Sequence, residues 1–233
     1  TAKNIEAMGP DLVVVRHHHA GAPQMLARAM SGAIVNAGDG QHEHPTQALL
    51  DAFTLLDRWQ RTAAQGLEGK TIAIVGDIAR SRVARSNMQC LTMLGARVRV
   101  CGPATMLPAG LDHYGVDVTS SMDHAIEGVD AVMMLRIQKE RMAGASMGSD
   151  RDYARGWGLT KDRFARLKPD ALVMHPGPIN RGVEIDSDVA DDARSVILEQ
   201  AENGVAVRMA VLYLLALGHA KLMPVSGDKT GAE

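Results

Sequence analysis

The sequence predicts an α/β protein with two doubly wound parallel sheets, the first of which is incomplete. From Thr71 onward, short β-branched runs alternate with amphipathic segments, which is the pattern of a parallel sheet with helices on both faces. Two apolar runs nearer the N-terminus are joined by a single helical segment. The 233 residues, 46% hydrophobic and 22% charged, are enough to bury a substantial core.

The residue pattern of the N-terminal part predicts one β–α–β unit preceded by a helix. Residues 1–8 have helical character but no cap, so we expect the chain to be a piece of a longer protein. Residues 12–15 and 33–36 are continuous apolar runs typical of strands buried on both faces, with a crossover helix at 23–30. Because two strands do not form a stable open sheet alone, this unit should pair with strands from elsewhere or extend the following sheet.

A helix that starts at Pro45 is expected to join the two domains. Proline fits the first helical turn, where its missing N–H costs nothing. The apolar residues that follow recur at spacings of three and four and cover more than half of the helix. We therefore expect residues 46–61 to be buried between a first domain, residues 1–45, and a second, residues 62–204.

In the second domain, the periodicity predicts strands at 71–75, 97–101, 116–119, 131–135 and 171–174, and helices at 81–94, 122–127 and 160–167. Residues 139–158 have little periodicity, and an irregular stretch of ~20 residues predicts a loop that is either a functional lid or a mobile segment. Two helical pieces, 195–203 and 205–217, should be joined at Asn203-Gly204. The second piece is apolar nearly all round except for Arg208, so we expect residues 205–220 to pack back on the first domain.

Composition excludes several classes of function. A net charge of −2 and only two Trp, three Tyr and two Phe argue against a nucleic-acid partner. The longest apolar run, residues 209–217, is shorter than the ~20 residues of a membrane span, and no signal segment is present, so we expect no membrane partner and a cytoplasmic protein. Cys90 and Cys101 have no metal-ligand spacing and are predicted to be small buried residues rather than a disulfide.

The residues that follow each predicted strand are the candidates for a site, because ligands of doubly wound sheets bind beyond the carboxyl ends of the strands. Three of the five strand exits place an arginine there, and guanidinium groups bind carboxylate or phosphate bidentately. The sequence therefore predicts a substrate with two or more anionic groups. The five exits are Arg16, residues 38–47, residues 76–82 with Arg82, residues 136–141 with Arg136, and His175-Pro176-Gly177-Pro178.

Each candidate also has a structural interpretation, and the residues alone leave both open. His44 and Gln47 share one face of the first helical turn, beside N–H groups that favour an anion, but His44 would equally serve as a cap while Gln47 is solvated. Arg82 and Arg136 would equally be surface charges. The turn at 175–178 offers carbonyl oxygens to an N–H group, or is a rigid connection only.

Two apparent motifs are set aside. The run His17-His18-His19 resembles a metal site, but consecutive strand residues point in alternating directions, so we predict no metal. The Gly76-Asp77 turn has one glycine where a dinucleotide-binding turn needs three, which disfavours a nicotinamide cofactor. We expect no cofactor.

The five exits, in this order and spacing, resemble the aspartate transcarbamoylase family over nearly the whole chain. His44-Pro45-Thr46-Gln47 also occurs in ornithine transcarbamoylases, so it indicates only the superfamily. The segment Arg136-Ile137-Gln138-Lys139-Glu140-Arg141 and the turn His175-Pro176-Gly177-Pro178 are the discriminating pieces. Gly76-Asp77 with residues 81–86, and residues 203–208, are also similar to family motifs.

The resemblance implies a fold of the transcarbamoylase type and a role for each candidate. Arg16, His44 and Gln47 would contact carbamoyl phosphate, with Arg16 and His44 donating to its carbonyl oxygen. The carbonyls of Gly177 and Pro178 would accept from the carbamoyl NH₂. Arg82 and Arg136, assisted by Gln138, would bind the two carboxylates of L-aspartate.

One departure from the family pattern affects the expected activity. The family's phosphate-binding Ser-x-Arg-Thr turn, and the serine and lysine that reach a neighbouring subunit's site, belong to an N-terminal portion that this sequence does not contain. We therefore expect the chain to be inactive alone. The resemblance further implies a homotrimer or larger assembly with shared sites, and partners such as a regulatory or dihydroorotase-like subunit.

Three hypotheses remain at this point. The first is an aspartate carbamoyltransferase of pyrimidine synthesis. The second is a non-catalytic fragment or assembly subunit that keeps only the aspartate half of the site. The third is a transcarbamoylase for another amino acid.

Overall fold

A computed structural model describes residues 2–137 and 149–222, and its larger body is a five-stranded parallel sheet. The strand order is β5-β4-β3-β6-β7, so the chain starts in the middle, runs to one edge and then returns to build the other. This confirms the predicted doubly wound sheet. The strands are β3 (Thr71–Val75), β4 (Arg97–Cys101), β5 (Asp117–Thr119), β6 (Ala131–Met134) and β7 (Leu172–Met174).

The sheet is covered on both faces because successive strand residues point to opposite sides. Ile72 and Ile74 pack on one face with α3 (Pro45–Arg58) and α4 (Arg82–Met93). Ala73 and Val75 pack on the other. That second face is covered by α5 (Met122–Ile126) and α7 (Lys161–Ala165), with α8 (Ser187–Ala190) following in the chain.

The N-terminal part forms a separate two-stranded parallel sheet. It comprises α1 (Ala2–Glu6), β1 (Leu12–His17), α2 (Ala22–Ala29) and β2 (Ala33–Asp39), and β1 pairs only with β2 among the described residues. The strands and crossover helix are confirmed, but burial on both faces is wrong: Val14 is exposed and Val13 is half-buried. With α2 as the crossover helix of a sheet only two strands wide, the cover is too narrow to enclose β1.

Helix α3 starts at Pro45 as predicted, and it is buried on most but not all of its surface. Its inner residues pack on α4 and on α9 (Ile197–Leu222). Leu49 and Phe53 are exposed, at 46% and 44%, so the expectation that the apolar stripe is buried is wrong on this side. They line an open apolar groove between α3 and α4 together with Met93.

The C-terminal helix corrects two predictions. It is one continuous helix, α9, rather than two pieces joined at Asn203-Gly204. Gly204 serves close packing instead of ending the helix, since a Cβ there would overlap the Arg208 guanidinium and would lie 3.2 Å from Leu50 Cδ2 of α3. The expected burial of the apolar piece at 205–217 is also wrong: Tyr213 and Leu214 are 65% and 66% exposed, because the helix contacts α3 on one side and the two-stranded sheet is too small to cover the rest.

By length and composition alone, one described helix, Ile197–Gly218, would be able to cross a membrane. That test does not distinguish a span from a helix of an α/β domain. Two polar side chains tie this helix to α3: Gln200 Nε2 donates to Asp51 Oδ1 and Asn203 Nδ2 donates to Thr54 Oγ1. The absence of a membrane partner stays a prediction.

The predicted loop at 139–158 is in part a helix. Residues 139–148 lie outside the described residues, whereas α6 (Asp150–Trp157) is helical. A capping box explains its start, since Ser149 Oγ accepts from Asp152 N and the Asp152 carboxylate accepts from Ser149 N. Cys101 is buried, Cys90 is half-buried and both are free, which confirms the prediction for the cysteines.

Candidate active site

The point where the sheet reverses its strand order carries two arginines. Strands β3 and β6 are neighbours there, and the chain leaves them in opposite directions, which opens a crevice at their carboxyl ends. Arg82 begins the helix after β3 and Arg136 follows β6. Together with Pro176 they line a cavity of about 50 Å³, here called the arginine cavity, to which Asp77 and Arg80 also contribute.

Arg82 is held between the two sheets. Its side chain is 7% exposed, and Nη1 donates to the carbonyl oxygen of Gly40 at 3.3 Å, which excludes the interpretation of a surface charge. Gly38 has φ of +110°, and a Cβ there would lie 2.8 Å from the Arg82 guanidinium carbon. A glycine is therefore required at 38 both for the backbone and for the space that the guanidinium occupies.

Two further charged residues of this region, Arg80 and Glu184, were not singled out in the sequence. Arg80 Nη1 lies 3.2 Å from Asp77 Oδ2, an ion pair at the rim of the arginine cavity. Glu184 is fully buried, and its carboxylate accepts from Ile137 N at 2.7 Å and from Asn180 N at 2.8 Å. It thereby joins the segment after β6 to the segment after β7. Gln138 lies outside the described residues.

Arg16 and His44 line a second, larger cavity. Its volume is about 260 Å³, and it lies between the two-stranded sheet, the start of α3 and α9. Arg208 lines the same cavity, although the sequence marked it only as the one charge on an apolar helix. We call this the His44 cavity.

His44 occupies the N-cap position of α3, but its side chain does not cap the helix. Its side chain makes no capping hydrogen bond, while its backbone N–H donates to Ser86 Oγ at 2.9 Å. Burial lowers the pKa of His44 to about 4, and the positive charges of Arg82, Arg16 and Arg208 act in the same direction. The imidazole is therefore neutral near pH 7 and offers an N–H donor to the cavity without adding a charge.

The depressed histidine pKa values predict a loss of stability in acid. His44 and His175 both have pKa values lowered from 6.5 to about 4, His175 by burial and then by Arg136. Below pH 6.5 the two histidines take up protons in the unfolded chain but stay neutral in the folded protein, which favours unfolding. Their contribution to the free energy of unfolding is therefore present above pH 6.5 and lost as the pH falls through about 4. Asp51, with a pKa raised to about 6, acts oppositely and loses its contribution as the pH rises from 3.8 to about 6.

We expect His44→Gln to lose less unfolding free energy between pH 7.5 and pH 4.5 than the parent protein. Urea unfolding at the two pH values measures this difference. Asp51 is present in both proteins and cancels in the comparison. Equal losses in the parent and the variant would contradict the assignment of a depressed pKa to His44.

Gln47 is neither solvated nor part of the wall of the His44 cavity. It is buried, and its Nε2 donates to Asp51 Oδ1 at 3.0 Å. Asp51 is a further residue that the sequence analysis missed. The available signal was a carboxylate one turn after Gln47, inside a helix whose neighbours are apolar.

The turn after β7 begins with a buried histidine. His175 is 1% exposed, and its Nδ1 accepts from Gly177 N at 2.9 Å, which leaves the proton of the neutral ring on Nε2. Gly177 has φ of +66°, a conformation that favours glycine. Pro176 reaches the arginine cavity, while Gly177 and Pro178 are exposed beside it.

The three consecutive histidines do not point in alternating directions, so the prediction that their side chains alternate was wrong. The rings of His17 and His18 stack with centroids 4.4 Å apart, and those of His18 and His19 lie 3.9 Å apart. A register shift between Val15 and His17 ends the strand alternation before the run is complete. Within the described ranges, no group of three or more His, Cys, Asp or Glu side chains is arranged to hold a metal ion.

Comparison with known families matches both parts of the chain. Residues 68–215 match the domain described as "Aspartate/ornithine carbamoyltransferase, Asp/Orn binding domain". Residues 1–57 match the "carbamoyl-P binding domain" of the same family.

Similar proteins and solved structures point the same way. The aspartate carbamoyltransferase catalytic subunit of Methylorubrum populi is 59% identical over 93% of this chain and 67% of its own length. That of Azorhizobium caulinodans is 57% identical over 100% of this chain and 69% of its own length. The chain thus spans about two thirds of the length of these relatives.

Among solved structures, aspartate transcarbamoylase from Trypanosoma cruzi in complex with phosphate is similar with a TM-score of 0.78 and 28% identity, over 91% of this chain and 70% of that one. Ornithine carbamoyltransferase from Pyrococcus furiosus is similar with a TM-score of 0.80 and 26% identity, over 93% and 71%. The fold is therefore common to both activities, whereas the more similar sequences carry the aspartate name.

Proposed function

Because the chain belongs to the aspartate/ornithine carbamoyltransferase family, we infer that it transfers the carbamoyl group of carbamoyl phosphate to L-aspartate. The products are N-carbamoyl-L-aspartate and phosphate, in an early step of pyrimidine synthesis. The observation that supports aspartate most directly is the arginine cavity, in which Arg82 and Arg136 line one crevice from opposite sides of the strand reversal.

The charge of the arginine cavity favours aspartate over ornithine. Three arginines, Arg80, Arg82 and Arg136, and one carboxylate, Asp77, are among the residues that line it. Two guanidinium groups match the two carboxylates of aspartate bidentately. The side-chain ammonium of ornithine would be repelled there.

The His44 cavity accounts for the chemical step. As the amine of aspartate attacks the carbamoyl carbon, a C–N bond forms and negative charge grows on the carbonyl oxygen. The C–O bond to phosphate then breaks, phosphate leaves with the bonding electron pair, and the attacking nitrogen gives up one proton. Arg16 and neutral His44 donate to that oxygen, and Arg208 adds positive charge to the same cavity. Catalysis is then chiefly positioning and electrostatic stabilisation, with no covalent enzyme intermediate.

The remaining roles follow the same division. The carbonyls of Gly177 and Pro178 accept from the carbamoyl NH₂, and Gln138 assists at the aspartate carboxylates. Residues 1–45, with 205–220, belong to the carbamoyl phosphate domain, residues 62–204 to the aspartate domain, and residues 46–61 join them. The family matches at 1–57 and 68–215 support a division into two domains, and the contacts of α9 with β1 and β2 support the place of residues 205–220.

The assembly and the cellular location belong to the same proposal. We expect a cytoplasmic homotrimer or larger assembly with active sites shared between subunits, open to a regulatory or dihydroorotase-like partner. The support is family membership, together with the exposed apolar side chains of α9 and of the groove lined by Leu49 and Phe53, which are suited to further packing.

Carbamoyl transfer assays test the function. The complete gene product should form carbamoyl-aspartate from carbamoyl phosphate and aspartate, and turn over ornithine far more slowly. The 233-residue chain alone should show no measurable transfer, since it spans about two thirds of the length of its relatives. A complete gene product without aspartate transfer would favour the non-catalytic hypothesis, and full activity of the 233-residue chain would overturn the expectation for the fragment.

A further inference from the structure

A fully buried carboxylate lies where three helices meet. Asp51 of α3 is 0% exposed, and its two oxygens accept hydrogen bonds from the side-chain amides of three residues. Oδ1 accepts from Gln47 Nε2 at 3.0 Å and from Gln200 Nε2 of α9 at 2.7 Å. Oδ2 accepts from Asn87 Nδ2 of α4 at 2.8 Å. Three donors around one carboxylate suit its ionised form, which only accepts.

The titratable groups that interact with Asp51 come from two of these helices, α9 and α4. Arg208 of α9 favours the carboxylate, and Cys90 of α4 is the nearby titratable group on the other side. Burial is the main influence and raises the pKa of Asp51 to about 6, while the three amides and Arg208 oppose it. At pH 7.5 the group is therefore ionised.

This carboxylate decides which end of the Gln47 amide is turned toward it. Because an ionised carboxylate cannot donate, the NH₂ of Gln47 must face Asp51. The amide oxygen of Gln47 is then the atom turned away from Asp51. Gln47 itself does not line the His44 cavity, but it directly follows Thr46, which does, so this oxygen is the acceptor that the start of α3 has left for the NH₂ of a ligand bound there.

The same carboxylate reaches the turn after β7 through a second amide. Gln200 Nε2 is held by Asp51, and Gln200 Oε1 accepts from the backbone N–H of His175 at 2.9 Å. His175 opens the turn whose Gly177 and Pro178 carbonyls are assigned to the carbamoyl NH₂. One buried group therefore supports two elements, the start of α3 and the turn after β7.

We propose that Asp51 is a positioning residue for the carbamoyl group: it orients the Gln47 amide oxygen toward the carbamoyl NH₂ and, through Gln200, holds the 175–178 turn in place. This inference rests on the proposed function. Asp51 does not touch the substrate itself.

Asp51→Asn, measured in the complete gene product, tests the proposal. The substitution keeps the shape but puts an NH₂ against amide donors, so at least one of the three contacts loses its acceptor. We expect the KM for carbamoyl phosphate to rise by about 10-fold or more, the effect of one misplaced buried hydrogen bond, with a smaller change in kcat.

Thr54→Val is the matched control. Thr54 lies on the same side of α3 three residues further on, and its Oγ1 accepts from Asn203 Nδ2 of α9 at 3.1 Å, a parallel link between the same helices that does not reach Gln47 or His175. It should lower the melting temperature without changing the KM. An unchanged KM in Asp51→Asn, or an equal rise in both variants, would overturn the proposal.

Ligand-induced thermal shifts give a readout that does not depend on turnover. Phosphonoacetamide carries a carboxamide beside a phosphonate, whereas inorganic phosphate has no carboxamide. Asp51→Asn should lose most of the shift from phosphonoacetamide and keep that from phosphate, while Thr54→Val keeps both. Equal shifts from phosphonoacetamide in all three proteins would contradict the proposal.

If Asp51→Asn does not fold, Gln200→Met carries the test. It preserves the side-chain length and the Asp51–Gln47 contact but removes the link to His175, so the KM for carbamoyl phosphate should still rise. No rise would overturn the connection to the turn. Lack of aspartate transfer in the parent protein would instead refute the proposed function, so the two failures are distinguishable.

Discussion

Replacement of His44 by alanine is expected to lower kcat by about 10² to 10³-fold, the usual effect of removing one donor to a developing oxyanion. The imidazole lines the His44 cavity beside Arg16 and Arg208, and it is neutral, so its contribution is the N–H donor rather than a charge. The fold should be retained, because the hydrogen bond from His44 to Ser86 uses the backbone. Steady-state kinetics with both substrates and a melting curve measure the two effects separately.

Gln47→Ala is the matched comparison for His44→Ala on the same helical turn. Gln47 is assigned to the carbamoyl NH₂ rather than to the carbonyl oxygen, so its loss should raise the KM for carbamoyl phosphate more than it lowers kcat. A His44→Ala protein with normal turnover, or one that only unfolds, would return His44 to a structural role.

Arg136→Ala should raise the KM for aspartate and lower kcat with little change in stability. Loss of a bidentate charged contact costs about 2–4 kcal/mol of transition-state binding, which is about 30- to 1,000-fold in kcat/KM. Arg136 lines the arginine cavity opposite Arg82, so the remaining guanidinium can bind only one of the two carboxylates.

Two variants sharpen the Arg136 experiment. Arg136→Lys keeps the charge but not the planar fork, and it should recover only part of the lost kcat/KM. Arg151→Ala removes an exposed arginine of α6 and should leave the aspartate kinetics unchanged. A kcat/KM for aspartate that Arg136→Ala does not change would count against its assignment to the substrate.

Local patterns in the sequence were enough to predict the sheet and the two arginines at its strand exits. The β-branched runs of β3 and β6 and the Ser81 cap of α4 are signals read over a few residues, and they place Arg82 and Arg136 at neighbouring strand ends. The capping box at Ser149 is equally local, so α6 was available from the sequence and was overlooked because the flanking residues have little periodicity.

Other features depend on which elements meet, and no local pattern contains that information. Glycine often ends a helix, but Gly204 is an interior residue of α9, and its missing side chain leaves space for Arg208 and for Leu50 of α3. The exposure of Tyr213 and Leu214 likewise reflects how little surface the two-stranded sheet offers to an apolar helix.

The sequence by itself determined the family, the doubly wound sheet and the arginines that line the arginine cavity, because strand periodicity and motif spacing are properties of short segments. Only the tertiary structure decided that Arg208 joins Arg16 and His44, and that Asp51 holds Gln47 and Gln200. Gln200 follows Asp51 by 149 residues, and a hydrogen bond over that separation exists only after α3 and α9 have packed together.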